Sequence, residues 1–139
     1  MQRAVAVAIL SLVACLSACA SRAPVAAPGG GRTKALETRE GLASFYGREF
    51  HGRRTASGTR FDMNAMVAAH PSYPFGTVLR VTNVTNGRAV EVRVVDRGPS
   101  RGPRDDGVII DMSYGAAGVL DFVREGRTRV RVEVLRWGD

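Results

Sequence analysis

Two aspartates and one histidine stand where a folded chain can place side chains for chemistry. Asp96 closes an apolar β-type run and directly precedes an Arg-Gly-Pro turn at residues 97–99, whereas Asp62 lies in an irregular segment rich in Gly and Arg. His70 ends a short apolar segment. Burial and hydrogen bonding at a strand end can tune a carboxyl pKa for proton transfer. The structural alternatives are a turn-capping carboxylate for Asp96 and a buried imidazole for His70.

Other kinds of site find less support in the sequence. His51, His70 and Asp62 could be imagined as metal ligands, but their spacing matches no template for a metal centre. The sequence has no Gly-rich phosphate loop and no persuasive Ser/His/Asp order. It also lacks the basic and aromatic stripe of an RNA-binding module. We therefore expect no metal, no cofactor and no nucleic-acid partner.

The charge balance favours a negatively charged partner. Lys and Arg number 20 against 13 acidic residues, a net charge of +7. Such a balance suits anionic lipid or a wall polymer that carries carboxylates. However, Arg alternates with Val over residues 127–132, which is typical of the solvated face of a strand. Both interpretations stay open.

The first residues predict export and lipid anchoring. A short positive start precedes an apolar run over residues 4–16, which is too short to span a bilayer but fits a signal peptide. The run ends in Leu16-Ser-Ala-Cys19, which resembles a bacterial lipobox. We expect a signal peptide over 1–18 and a lipid on Cys19, the alternative being an ordinary secretory signal. Ala20 favours the outer membrane, facing the periplasm, because Asp commonly stands there in lipoproteins retained in the inner membrane.

Composition then divides the mature chain into two parts. Residues 19–39 are rich in Ala, Pro and Gly and predict the lipidated Cys with a flexible tether, followed by one domain over 40–137. The predicted strands cover residues 42–46, 77–84, 88–96, 108–111 and 128–135, with a short apolar segment over 66–70. Long loops are expected over residues 47–64 and 97–106.

Two local signals support this division. Asn86-Gly87 between two β-rich runs predicts a hairpin with a type I′ turn. Ser113 is expected to cap a short helix whose Ala116, Ala117 and Leu120 face the core. Because open sheets expose their edges, five or six short strands favour a small closed barrel.

Short motifs follow one another in a fixed order throughout the domain. They are Gly41-Leu-Ala-Ser-Phe-Tyr-Gly47, Phe50-His-Gly-Arg53, Thr55-Ala-Ser-Gly58, Phe61-Asp-Met63, Ala68-Ala-His70, Pro74-Phe-Gly-Thr77, Val81-Thr-Asn83, Asn86-Gly87, Asp96-Arg-Gly-Pro99 and Ile110-Asp-Met-Ser113. Together these motifs resemble those of the rare lipoprotein A (RlpA) family. The resemblance implies a mainly β fold, a small six-stranded double-psi β-barrel with one or two short helices, related to expansins. It also implies a lytic transglycosylase that cleaves peptidoglycan glycan strands, preferably peptide-poor ones, and leaves 1,6-anhydro-muramic acid ends.

The resemblance also assigns roles to single residues. It places the acid/base carboxylate on Asp96 and further catalytic groups on His70 and Asp62. The residues expected to bind substrate are Tyr46, His51, Thr59 and Arg97. Members act in wall remodelling and daughter-cell separation, so division-site proteins are further expected partners.

Three departures from the family pattern bear on activity. Thr59 stands where active members usually carry Glu, Phe45 where Trp is commoner, and the segment from Asp96 to Asp111 is longer than usual. One protein carboxylate can suffice, because the C6 hydroxyl of muramic acid attacks its own anomeric carbon. Thr59 could therefore mean the loss of an assisting group. It could also mark a non-catalytic, expansin-like lipoprotein that binds or loosens the wall.

Overall fold

The computed structural model describes residues 33–139. The predicted signal peptide, Cys19 and the tether up to residue 32 lie outside the described residues. The strands are β1 (Glu37–Tyr46), β2 (Val67–Ala69), β3 (Val78–Asn83), β4 (Ala89–Asp96), β5 (Val108–Ser113) and β6 (Thr128–Arg136). Two short helices, α1 (Arg101–Asp105) and α2 (Tyr114–Val119), and a single 3-10 turn at Arg48–Phe50 complete the domain.

The six strands close into one barrel in the order β1-β5-β2-β4-β3-β6. Two pairs, β1 with β5 and β2 with β4, are parallel, and the others are antiparallel. The short β2 therefore lies between β4 and β5, two longer strands that follow each other in sequence. This architecture confirms the predicted mainly β barrel with short helices.

Alternation along the strands fills the barrel and covers its outside. Val130, Val132 and Val134 of β6 are buried, whereas the residues between them are partly or fully exposed. On the outside, Arg80 lies 3.6 Å from Glu91 and Arg131 lies 3.1 Å from Glu40. The Arg residues that alternate with Val thus belong to a solvated strand face, as one of the two interpretations expected.

The first strand starts earlier than the sequence suggests. Glu37 pairs with Val134, and the backbone N–H of Leu36 donates to the Val134 carbonyl at 2.8 Å. The barrel thus begins within residues assigned to the tether, three positions before the predicted start at residue 40. Charged side chains of this segment point outward, so its sequence lacks the apolar signal of a strand.

One turn, one helix cap and one helix can be compared directly with the local sequence signals. The β3–β4 hairpin is present, but the type I′ turn is wrong. Five residues, 84–88, connect the two strands, and Gly87 alone among them has a positive φ, of 78°. Ser113 caps α2 as predicted, because its hydroxyl accepts from the N–H of Ala116 at 3.2 Å. Helix α1 lies in a segment expected to be loop.

No helix within residues 33–139 combines the length and the apolar character needed to cross a membrane.

Candidate active site

The short strand β2 brings two carboxylates together. Its last residue, Ala69, pairs with Asp96 of β4 on one side and with Asp111 of β5 on the other. Ala69 is buried and its side chain is a single methyl group. Neighbouring strands lie only about 4.8 Å apart, so this register places both aspartates at one end of the barrel.

An open cleft of about 370 Å³ contains both carboxylates. Its lining is Ser44, Phe45, Tyr46, Glu49, Phe50, Ala69, Asp96, Arg97, Gly98, Ser100, Pro103 and Asp111. Strand ends supply the rigid members, and the 97–103 segment with the 3-10 turn supplies the walls. The cleft therefore combines acidic groups with aromatic side chains, the mixture of polar and apolar lining that is typical of small-molecule sites.

Asp96 is held as a hydrogen-bond acceptor. Its Oδ1 accepts from the N–H of Ala56 at 2.9 Å and from that of Arg97 at 2.8 Å. The loop that carries Ala56 is itself anchored, because the Ser57 N–H donates to the Val95 carbonyl at 3.1 Å. Backbone donors stabilise the negative charge of a carboxylate. The predicted strand-end position of Asp96 is thus correct, and the backbone bonds of the turn-capping alternative are also present.

Asp111 is a functional candidate that the sequence analysis missed. Ser44, its register partner on β1, donates a hydrogen bond from its hydroxyl to Oδ1. Burial raises the pKa of Asp111, while the Ser44 hydrogen bond and the Arg127 charge oppose the rise. A Cβ atom at Gly98 would stand 3.1 Å from Asp111 Oδ2, so glycine lets the chain approach this carboxylate. A carboxyl with a raised pKa is suited to donate a proton.

Tyr46 lies against the same two carboxylates. Its hydroxyl is buried and, within residues 33–139, has no hydrogen-bond partner. Burial, followed by the negative charges of Asp96 and Asp111, raises the pKa of Tyr46 far above its usual range. The ring stacks on Phe61, with centroids 4.3 Å apart. Tyr46 therefore keeps a buried, protonated hydroxyl close to the two carboxylates. Its role in binding substrate stays a prediction.

His70 is built into the wall beside the cleft and does not line it. Its Nδ1 accepts from the N–H groups of Ser72 and Tyr73, at 3.2 and 3.0 Å, and its ring stacks on that of Tyr73. Burial lowers the pKa of His70 to about 4, helped by the charges of Arg39 and Arg97. The imidazole is neutral, and the backbone N–H of His70 donates to the Asp96 carbonyl at 3.1 Å.

Asp62 and His51 lie close to each other but outside the lining of the cleft. The Asp62 carboxylate is 4.0 Å from His51 Nδ1 and accepts from the N–H of Asn64. Thr59 joins a hydroxyl cluster, 3.0 Å from Thr55 Oγ1 and 3.2 Å from Ser57 Oγ. These contacts stabilise the loop that binds Asp96.

Arg97 is the fourth predicted substrate-binding residue, and like Tyr46 it lines the cleft. Its Nη1 donates to the carbonyls of His70 and Tyr73, at 3.2 and 2.8 Å. Its guanidinium carbon lies 3.9 Å from the centroid of the Phe75 ring. The side chain is thereby fixed before any ligand binds.

No set of three or more His, Cys, Asp or Glu side chains in the described part of the chain is arranged to hold a metal ion. Asp96 and Asp111 give the cleft two carboxylates that can transfer protons and stabilise positive charge.

Comparison with known families agrees with this geometry. A double-psi β-barrel family model described as lytic transglycolase matches residues 38–132. The chain belongs to this family. Residues 33–139 form the closed six-stranded barrel of the family, and the resemblance to rare lipoprotein A proteins is confirmed.

Relatives in this family carry closely related names. The endolytic peptidoglycan transglycosylase RlpA of Campylobacter jejuni is 47% identical over 102 residues, which cover 73% of this chain and 36% of the relative. A probable endolytic peptidoglycan transglycosylase RlpA of Nostoc sp. is 55% identical over 98 residues, covering 69% of this chain and 25% of the relative. The matched part thus spans about a third of the length of such relatives or less.

Solved structures of low identity share the fold. A Streptomyces papain inhibitor has a TM-score of 0.57 at 22% identity, with 73% of this chain and 97% of that chain covered. A Clavibacter michiganensis expansin has a TM-score of 0.57 at 23% identity, with 74% of this chain and 52% of that chain covered. At this identity they support the barrel architecture alone.

Proposed function

We propose that the protein is a lytic transglycosylase that cleaves the glycan strands of peptidoglycan. The observation that carries the proposal is the pair Asp96 and Asp111, placed on either side of Ala69 in one open cleft. Their environments differ: backbone N–H groups surround one carboxylate, and burial raises the pKa of the other. Pairs of carboxylates in such unlike environments divide acid and base roles in glycosidic cleavage. The names of the relatives point to the same reaction.

In the proposed reaction Asp111 is the proton donor. Its carboxyl gives its proton to the glycosidic oxygen while the bond from that oxygen to C1 of muramic acid breaks. The resulting carboxylate takes the proton of the C6 hydroxyl as O6 bonds to C1. One bond breaks, one forms and the proton returns to Asp111, so no water is consumed. The intramolecular attack gains from proximity.

Asp96 would act through its charge. The two backbone N–H groups fix its carboxylate beside the reacting carbon, where positive charge develops in the transition state. The family resemblance assigns the acid/base role to Asp96 itself. We infer instead that Asp111 carries the acid/base role, because the structure buries it and Ser44 orients it. Tyr46 would form part of the cleft wall beside the two carboxylates.

The walls of the cleft suit sugar rings. A further cavity of about 280 Å³ is lined by Phe45, Gly47, Arg48, Glu49, Met63 and Tyr114, and it shares Phe45 and Glu49 with the cleft. Phe50 and Tyr114 are exposed, at 43% and 42% of their surface. Exposed aromatic faces next to a polar cleft can pack against the apolar faces of consecutive sugars.

A second candidate function is glycan binding without cleavage, and Thr59 favours it. Its hydroxyl contacts other hydroxyls, and no carboxylate stands at this position to assist the reaction. In that case the barrel would hold or loosen the wall in the manner proposed for expansin-like proteins.

One experiment separates the two functions. The full chain is incubated with peptide-stripped glycan strands, and the products are analysed by mass spectrometry beside Asp96→Asn and Asp111→Asn. New ends with 1,6-anhydro-muramic acid, reduced strongly in both variants, are expected. Strands that bind the protein and stay intact would show that it is a glycan-binding module and not an enzyme. The variant Asp105→Asn, which changes an exposed carboxylate outside the cleft lining, is the matched control.

We further propose that the protein is a lipoprotein of the outer membrane, facing the periplasm, which acts on peptide-poor strands together with division-site proteins. The lipobox-like residues up to Cys19 support this proposal. The test is the mass of the mature N-terminal peptide and its incorporation of labelled palmitate. We expect the Cys19→Ala variant to lack both the added lipid mass and the palmitate label. An unlipidated N-terminal peptide in the wild-type protein would refute the lipid anchor.

A further inference from the structure

Besides the cavity near Tyr114, a second cavity, of about 320 Å³, adjoins the catalytic cleft. Its lining consists of Pro71, Arg97, Gly98, Pro99, Ser100 and Arg104. Arg97, Gly98 and Ser100 line both cavities, so a substituent of a sugar bound in the cleft can enter the neighbouring space. The two cavities therefore form one surface around the segment that follows Asp96.

The charge of this second cavity is of one sign. Two guanidinium groups and no carboxylate line it. The ion pairs within residues 33–139 occupy Arg39, Arg80, Arg127 and Arg131, so neither Arg97 nor Arg104 is neutralised by one of them. A concave surface with two positive groups and no negative one attracts an anion.

The two arginines differ in how they are held. Arg97 is fixed by the His70 and Tyr73 carbonyls through Nη1 and by the ring of Phe75, and no such contact uses its Nη2. Arg104 belongs to α1, in the long segment between the two cleft aspartates, and its side chain is exposed. Because the guanidinium of Arg97 is already fixed, it loses little conformational entropy on binding, and its planar donors fit the two oxygens of a carboxylate.

We propose that Arg97 and Arg104 form a subsite for a carboxylate of the glycan strand. The inference rests on the proposed function, because the subsite would bind a substituent of the glycan strand that is held in the cleft. Two carboxylates of peptidoglycan share this chemistry. One is the lactyl carboxylate of muramic acid, which is free in peptide-stripped strands, and the other belongs to the stem peptide.

Binding measurements test the subsite without requiring cleavage. Asp111→Asn is used as the background so that strands stay intact, and calorimetry gives the Kd for three soluble probes of equal length. The first is peptide-stripped strands, the second is the same strands with their lactyl carboxylates converted to methyl amides, and the third is peptide-bearing strands. In the third probe an amide bond blocks the lactyl group. Arg104→Gln is compared with Arg101→Gln, which removes the same charge from the same helix outside both cavities.

We expect the background protein to bind stripped strands about fivefold more tightly than amidated ones, the effect of one partly exposed ion pair. Arg104→Gln removes this preference and Arg101→Gln keeps it. Peptide-bearing strands that bind as tightly as stripped ones, and lose this affinity in Arg104→Gln, would identify the stem peptide as the source.

Equal binding of stripped and amidated strands, together with peptide-bearing strands whose affinity Arg104→Gln leaves unchanged, would overturn the subsite. An equal loss in Arg101→Gln would also overturn it, since only overall charge would then matter. Failure of the proposed function is separate: the parent protein would leave strands intact, whatever the binding preference.

Discussion

Replacing Asp111 by Asn tests the assigned proton donor while changing little else. Asn keeps the Oδ1 atom that accepts the Ser44 hydroxyl, so the hydrogen bond between β1 and β5 can persist. It removes the titrating proton, and with it general acid catalysis, which contributes roughly 10²- to 10⁴-fold to a rate. A loss of about 10³-fold in kcat corresponds to about 4 kcal/mol of the activation barrier.

The same variant should lower the rate of cleavage but raise the free energy of unfolding at neutral pH. Burial raises the pKa of Asp111 above its ordinary value of 3.8, so the charged form destabilises the folded barrel. The contribution of Asp111 to the free energy of unfolding is therefore greatest below pH 3.8 and declines as pH rises through the raised pKa. Asn stays neutral, so Asp111→Asn lacks this decline. The variant should be less active yet more stable than the parent at neutral pH.

Two assays check these expectations together. Release of 1,6-anhydro-muramic acid ends gives kcat, and urea unfolding at several pH values gives the free energy of unfolding. Asp105→Asn, an exposed carboxylate on α1, controls for the loss of a negative charge. Retention of more than about a tenth of the parent rate would fall outside the range of general acid catalysis and refute the assignment of Asp111.

Two further predictions concern other parts of the barrel. Gly115→Ala should lower the free energy of unfolding, because its Cβ would stand 2.6 Å from the Asn64 carbonyl oxygen. Gly118→Ala has open space at its Cβ and should raise the free energy of unfolding by about 0.5–1 kcal/mol. Urea unfolding compares the two variants, and equal effects would contradict the packing argument. His70, whose pKa burial lowers from 6.5 to about 4, should make the barrel lose stability as pH falls between these values, because only the unfolded chain binds the proton there. This slope should shrink in His70→Gln, and an unchanged slope would place its origin elsewhere.

The strands could be predicted because local patterns determine them. Alternation along β6, the β3–β4 hairpin signal and the Ser113 cap all depend on neighbouring residues, and the structure confirms each element. The predicted turn type was wrong because the dipeptide signal assumes a two-residue connection, whereas residues 84–88 form a longer one. Strand order could not be read in this way, since the parallel pairs join residues far apart in sequence.

The candidate site was predicted in part. Asp96 was selected because it closes an apolar strand, and Tyr46 and Arg97 also line the cleft. Asp111 also ends a predicted strand, over residues 108–111, but no Gly-Pro turn follows it to mark it as accessible. The ring of His70 lies in the wall because two backbone N–H groups donate to its Nδ1. No sequence pattern predicts these hydrogen bonds.

The most direct test of the central claim is cleavage of peptide-stripped strands by the full chain in water labelled with oxygen-18. A lytic transglycosylase closes the new end with the O6 of muramic acid itself. We therefore predict product ends without the label and lighter by one water molecule than a reducing end. Reducing ends that carry oxygen-18 would show attack by water, and would contradict the mechanism assigned to Asp96 and Asp111.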